Sequence, residues 1–162
     1  MTFTFTPVTK VDVREFVYWA YEPPYDVYNM LAPSDQLEED DLAYFLDPVY
    51  NYHTIRDEAG QMVGFCSFGL DGQVPGGDYG DEALDIGLGV RPDLTGQGRG
   101  FAFVRATIDF ADQAFKPTVL RVTIASFNQR AQHVWQKAGF NRVREFTHER
   151  SRMSFIIFVL RR

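Results

Sequence analysis

The chain has one cysteine, Cys66, among its 162 residues, so it cannot close a disulfide within itself. That fits a reducing compartment, and a cytoplasmic protein is expected. Cys66 lies in the apolar run Val63-Gly-Phe-Cys-Ser-Phe68, where a small buried strand residue is favoured over a nucleophile. Histidine is scarce too. His53, His133 and His148 are scattered without metal-ligand spacing, and no metal is expected. Basic charge is outnumbered, with 16 Lys and Arg against 22 Asp and Glu. The resulting net charge of −6, spread along the chain, argues against a nucleic-acid partner and is compatible with a cationic substrate. No apolar run approaches the length of a membrane span, so no membrane partner is expected. Met1-Thr-Phe-Thr-Phe-Thr6 alternates like a strand and lacks the basic-then-apolar layout of a secretory signal. Repeats, low-complexity tracts and linkers are missing as well, and residues 1–162 read as a single domain large enough to bury a core.

What the chain does contain is organised around Leu84 to Phe115. Leu84, Ile86, Leu88 and Val90 alternate with Asp85, Gly87 and Gly89, the period of a strand. Arg91-Pro92-Asp93 breaks it, and Gly96-Gln97-Gly98-Arg99-Gly100 is too rich in glycine for a regular element. Phe101, Val104, Ile108, Ala111 and Phe115 then form one apolar stripe of a helix. A strand, a glycine loop and a helix in that order suit a phosphate group. Backbone N–H groups can point inward, and the helix start adds its positive dipole end.

Two phosphate-binding patterns do not fit. Gly98 is followed by Arg99-Gly100 instead of the Lys-Ser/Thr of a P-loop, and glycines at every second position do not spell the dinucleotide fingerprint. Val90-x-Pro92, five residues, then Gly98-x-Gly100 at a helix start resembles the acyl-CoA loop of the GNAT acetyltransferases. Thr95 stands where that family usually has Gln or Arg. Downstream, Asn128-x-x-Ala131-x-x-Val134-Trp135-x-Lys137-x-Gly139-Phe140 is similar to the family's second motif.

The resemblance implies an α/β (α+β) fold, a mixed and mainly antiparallel sheet of about seven strands with helices on both faces. It also implies acetyl-CoA as co-substrate. The pyrophosphate would lie on the loop Thr95, Gly96, Gln97, Gly98, Arg99 and Gly100. Backbone groups of Leu88, Gly89 and Val90 would hold the pantetheine arm, with Asn128 and Trp135 as further contacts. Gly87 and Gly89 agree on physical grounds, because glycine weakens a strand unless something approaches its backbone closely. A bulky neighbour such as a phenylalanine would satisfy the same condition.

The other elements follow from local signals. A strand is expected over residues 3–8, then a helix carrying Val13, Phe16, Val17 and Ala20 that stops before Pro23-Pro24. A second helix is expected from about Ser34, as N-cap, to Leu46. Residues 50–56 and 62–70 read as a hairpin around Asp57-Glu-Ala-Gly60. Residues 71–78 form a loop able to reach over a substrate. A strand over 120–124, a helix from Asn128 to a C-cap at Gly139, and strands over 142–146 and 153–160 complete the chain. Phe155 to Leu160 is continuously apolar, as in an interior strand.

Acetyl transfer to an amine needs a proton removed, since an alkylammonium has a pKa near ~10. Asp85 shares a strand face with Gly87 and Gly89 and is a candidate base; a carboxylate paired with a neighbouring arginine is the alternative. Trp135 stands where many family members have tyrosine, and its indole N–H cannot shuttle a proton. Tyr25 and Tyr28 fall where the resemblance places the acceptor side, either shaping a pocket or packing their loop. The expected partner is a small-molecule amine, with the protein a monomer or homodimer. An acetyltransferase for protein N-termini or lysines, and an idle CoA-binding domain, are the alternatives.

Overall fold

The computed structural model describes residues 2–162. Seven strands form one sheet in the order β1-β2-β3-β4-β5-β7-β6. They are β1 (Thr4–Pro7), β2 (His53–Arg56), β3 (Met62–Phe68), β4 (Leu84–Val90), β5 (Val119–Ala125), β6 (Asn141–Thr147) and β7 (Ser154–Arg161). Only β4 and β5 run parallel; every other neighbouring pair is antiparallel. The sheet is therefore mixed and mainly antiparallel, as the sequence pattern implies. Strand β7 lies between β5 and β6, the interior position its apolar run predicts.

Two helix pairs cover the two faces. On one, α3 (Gly100–Phe115) and α4 (Gln129–Lys137) press Phe103, Val104, Ile108 and Trp135 onto Ile86, Leu120, Val122, Ile156 and Phe158. On the other, α1 (Lys10–Phe16) and α2 (Glu39–Leu46) form a smaller core of Val13, Phe16, Val17, Leu42, Tyr52 and Met62. Gly100 lets α4 come close, since a Cβ there would meet Val134 at 3.3 Å.

Helix α1 starts on a capping box: the Thr9 hydroxyl accepts from the Asp12 N–H, and the Asp12 carboxylate accepts from the Thr9 N–H. It stops earlier than its apolar stripe suggests. The Val17 carbonyl accepts from the Leu31 N–H (3.1 Å), which draws the chain out of helical geometry. Helix α2 starts at Glu39 and not near Ser34. Residues 32–35 instead close a turn, in which the Asp35 N–H bonds the Ala32 carbonyl and the Asp35 carboxylate accepts from the Ala32 N–H. Among the described residues, no helix is long and apolar enough to cross a membrane.

Candidate active site

Strands β4 and β5 are joined only at their beginnings, Leu84 opposite Leu120 and Asp85 opposite Arg121. Beyond Asp85 they part. The β3–β4 ladder then decides which backbone groups face the opening. Gly69 N–H donates to the Asp85 carbonyl and Arg91 N–H to the Val63 carbonyl, both at 2.9 Å. By the alternation of an antiparallel ladder, Gly87 and Gly89 spend their backbone groups on β3, while Ile86, Leu88 and Val90 turn theirs into the split. Of the three strand residues expected to meet pantetheine, Leu88 and Val90 present free-facing backbone and Gly89 does not. The Val90 carbonyl already accepts the Tyr21 hydroxyl at 2.8 Å.

A cavity of about 640 Å³ occupies the split. Its walls come from both faces of the sheet. Phe101, Val104, Val134 and Trp135 belong to the α3–α4 side, and Phe16, Trp19, Phe65 and Asp71 to the α1–α2 side, with Ile86–Val90 and Val122–Ala125 between. The cavity thus passes through the sheet.

At one end lies the glycine loop. Gly96 and Gly98 adopt positive φ (70° and 74°), a backbone that side chains disfavour. Among the described residues, none of the N–H groups of residues 96–101 donates to a protein acceptor. These amides and the start of the 16-residue α3 are arranged as a cradle that could hold an anion. Thr95, Gly96, Gly98 and Gly100 line the cavity. The side chains of Gln97 and Arg99 are exposed and outside its wall, Gln97 folding back to the Asp93 carbonyl. Thr95 gives its hydroxyl to the Pro92 carbonyl (2.7 Å), so it shapes the turn. Arg130 and Lys137 of α4 also line the cavity, Arg130 stacked on Tyr25 and Lys137 over Phe101. Both cations sit on the side where phosphates would lie, which the motif comparison did not single out.

Asn128 caps α4, its Oδ1 accepting from the Ala131 N–H at 3.0 Å, and its Nδ2 donates to the Tyr28 hydroxyl at 3.0 Å. Tyr25 and Tyr28 sit on a short 3-10 turn, line the cavity and pack against Phe127. Their contacts tie this turn across the cavity mouth to α4. Burial raises the pKa of the Tyr28 hydroxyl, partly offset by the Asn128 hydrogen bond, so it stays protonated. Trp135 is buried edge-to-face on Phe140 and lines the cavity. Cys66 is fully buried, and burial pushes its thiol pKa up, away from a nucleophile's range.

Asp85 is in phase with Gly87 and Gly89 on β4, as the alternation implies, but its carboxylate is taken up by Arg121. Arg121 grips both of its oxygens, Nε at 2.7 Å and Nη2 at 2.8 Å, and the Gln73 amide donates to Oδ2 at 3.0 Å. Both partners of the pair are almost wholly buried, and Asp85 is outside the cavity wall. This geometry suits the alternative of a structural ion pair and not a free base. The carboxylate that does face the cavity from the α1–α2 side is Asp71, in the loop after β3. It accepts hydroxyls from Tyr44, Tyr52 (2.6 Å) and Ser67 (3.2 Å). Burial of the two hydroxyls, with the Asp71 charge and hydrogen bonds beside them, holds Tyr44 and Tyr52 far above their ordinary pKa. Nothing local in the sequence distinguishes Asp71 from the other acids of its loop.

The model of the acetyltransferase (GNAT) family matches residues 13–140, and the chain belongs to that family. It is an acyl-CoA-dependent acetyltransferase with acetyl-CoA as co-substrate. Solved structures with the same fold include a spermidine N-acetyltransferase chimera of Vibrio cholerae SpeG and hSSAT (TM-score 0.76, 14% identity, 98% of this chain and 95% of that one). The spermidine N-acetyltransferase from Vibrio cholerae in complex with CoA and spermine is similar as well (TM-score 0.69, 13% identity, 98% and 95%). So is a GNAT-family acetyltransferase from Bacillus anthracis (TM-score 0.69, 16% identity, 98% and 94%). At such identities the likeness is one of fold. No curated protein matches the chain in sequence.

Proposed function

We propose that the protein moves an acetyl group from acetyl-CoA to the primary amine of a small molecule, by direct attack of the amine on the thioester. The carrying observation is the single cavity through the β4–β5 split, with an anion cradle at one end and an aromatic, carboxylate-bearing chamber at the other. Acetyl-CoA supplies the activated acetyl group. The amides of residues 96–101 and the dipole of α3 hold its pyrophosphate, and Arg130 and Lys137 add positive charge there. Backbone N–H groups of Leu88 and Val90 face the thioester region and polarise the carbonyl.

With Asp85 engaged by Arg121, the ammonium proton leaves to water within the cavity. The leaving thiol has a pKa near that of cysteine, ~8.5, so no dedicated acid is required and Trp135 does not forbid turnover. A small acceptor is favoured over a peptide. The Tyr25–Tyr28 turn, bonded to Asn128 and stacked on Arg130, adds an aromatic stretch to the cavity wall that suits a small ligand. The known likeness to a spermidine acetyltransferase fold agrees with an amine acceptor.

The test is a thiol-release screen with acetyl-CoA against alkylamines, polyamines, amino acids and lysine peptides. Turnover concentrated on small amines is expected. Turnover on peptides alone overturns the small-molecule assignment.

A further inference from the structure

Asp71 is half-buried and lacks a counter-ion, which both buried acids among the described residues have. Asp85 is matched by Arg121 and Asp12 by Arg56. Among the described residues, no Lys, Arg or His forms an ion pair with Asp71. Three neutral hydroxyls hold its carboxylate instead, Tyr44 on Oδ1, and Tyr52 and Ser67 on Oδ2. A carboxylate has about four acceptor positions, so one remains unused, on the oxygen that carries only Tyr44. The group sits against Gly87, where a Cβ would come within 4.0 Å of Oδ2, and it forms part of the cavity wall.

The surroundings define what would complete it. Trp19 and Phe65 line the same chamber, with Phe16 stacked on Phe65, and aromatic rings attract alkylammonium groups. Arg91, which follows β4, is spent on Asp93 and the Met62 carbonyl. The cavity's cations, Arg130 and Lys137, belong to α4 on the opposite face. The cavity wall is therefore asymmetric in charge, with a carboxylate on the acceptor side and cations on the side of the glycine loop.

From this we infer that Asp71 is the specificity-determining residue of the acceptor chamber, binding the ammonium group of an apolar-chained amine and selecting against acceptors that carry a carboxylate. Tyr44, Tyr52 and Ser67 fix the orientation of the carboxylate as positioning residues. The inference rests on the acetyl-transfer reading only for what the bound amine undergoes afterwards.

Calorimetric titration of n-butylamine, n-butanol and butyrate tests it, on the protein alone and in the presence of CoA. At neutral pH butylamine is a cation, the alcohol is neutral and butyrate is an anion. Butylamine is expected to bind at least tenfold more tightly than butanol, and butyrate more weakly than either. In Asp71→Asn, butylamine should fall to the level of butanol while butanol is unchanged. Equal affinities of butylamine and butanol for the wild-type protein overturn the inference, and so does undiminished butylamine binding in the variant. The wild-type ligand series decides the matter even where the variant does not fold. Ammonium selectivity without thiol release from acetyl-CoA supports the cation site and refutes the transfer reading, so the two fail separately.

Discussion

The guanidinium of Arg121 faces the carboxylate of Asp85 with two hydrogen bonds, 2.7 and 2.8 Å long, at the last point where β4 and β5 are still paired. Arg121 is further held by the Asp81 carbonyl and lies 4.9 Å from the ring centre of Tyr79. The pair therefore rivets the two strands at the apex of the split from which the cavity opens. Asp85→Asn leaves a buried cation without its partner and should cost roughly 3–5 kcal/mol. Tm should drop by on the order of 10 °C. The kcat/KM per folded molecule and its pH profile should persist. Loss of the acid limb of the pH–rate profile would instead restore Asp85 as the base. An Asp85→Leu/Arg121→Met double variant should recover much of the lost stability, since no charge is then left unpaired.

Gly98 is the position where CoA binding can be probed with least damage to packing. A Cβ there meets nothing within 4 Å, although its φ of 74° disfavours side chains. Gly98→Asp places a carboxylate at the proposed pyrophosphate site and should weaken CoA by tenfold or more, about 1.4 kcal/mol. Gly98→Ala should lose less. Calorimetry on both variants checks the order, and wild-type affinity in a folded Gly98→Asp protein would remove the loop from the site.

Phe65 explains Gly89. A Cβ on Gly89 would lie 2.4 Å from the Phe65 ring, which is itself stacked on Phe16 at 4.3 Å and cannot retreat freely. Gly89→Ala should destabilise by about 1–3 kcal/mol. In a Phe65→Leu background the same change should cost less, and a double-mutant cycle in urea measures the coupling. Additive effects would mean that the ring moves aside.

Asp12 gives a pH signature. Burial alone would raise its pKa, but the Thr9 N–H, the Thr54 and Thr9 hydroxyls and the Arg56 charge outweigh it and hold the group below the usual 3.8. A depressed carboxylate contributes stability above the unfolded pKa and loses it as pH falls through the folded one. Asp12→Ala should therefore lose roughly 1–3 kcal/mol at pH 7. The gap from wild type should narrow once pH drops below about 3.8. Unfolding curves from pH 7 to pH 2 check this, and a gap independent of pH would contradict it.

Residues 84–115 were legible because their signals are local: alternation makes the strand, glycine the loop and an apolar stripe the helix. The interior position of β7 was readable for a similar reason, since its apolar run is continuous. The partner of Asp85 was not. It depends on which β5 residue stands beside it, and Arg121 is 36 positions away. Asp71 was hidden for the same reason, because its three hydroxyls come from α2, β3 and the segment before β2. Ser34 carried a proper cap signal that lost to the Ala32–Asp35 turn.

The central claim is that one cavity joins the anion cradle at residues 96–101 to an amine-accepting chamber. Mass-balanced turnover tests it most directly: acetyl-CoA and a small alkylamine, with free thiol and N-acetylated amine quantified together. One thiol released per N-acetylamine formed, at a rate that rises with amine concentration and saturates, is the predicted result. CoA binding with no N-acetylated product from any small amine would contradict it and leave a CoA-binding domain without transfer.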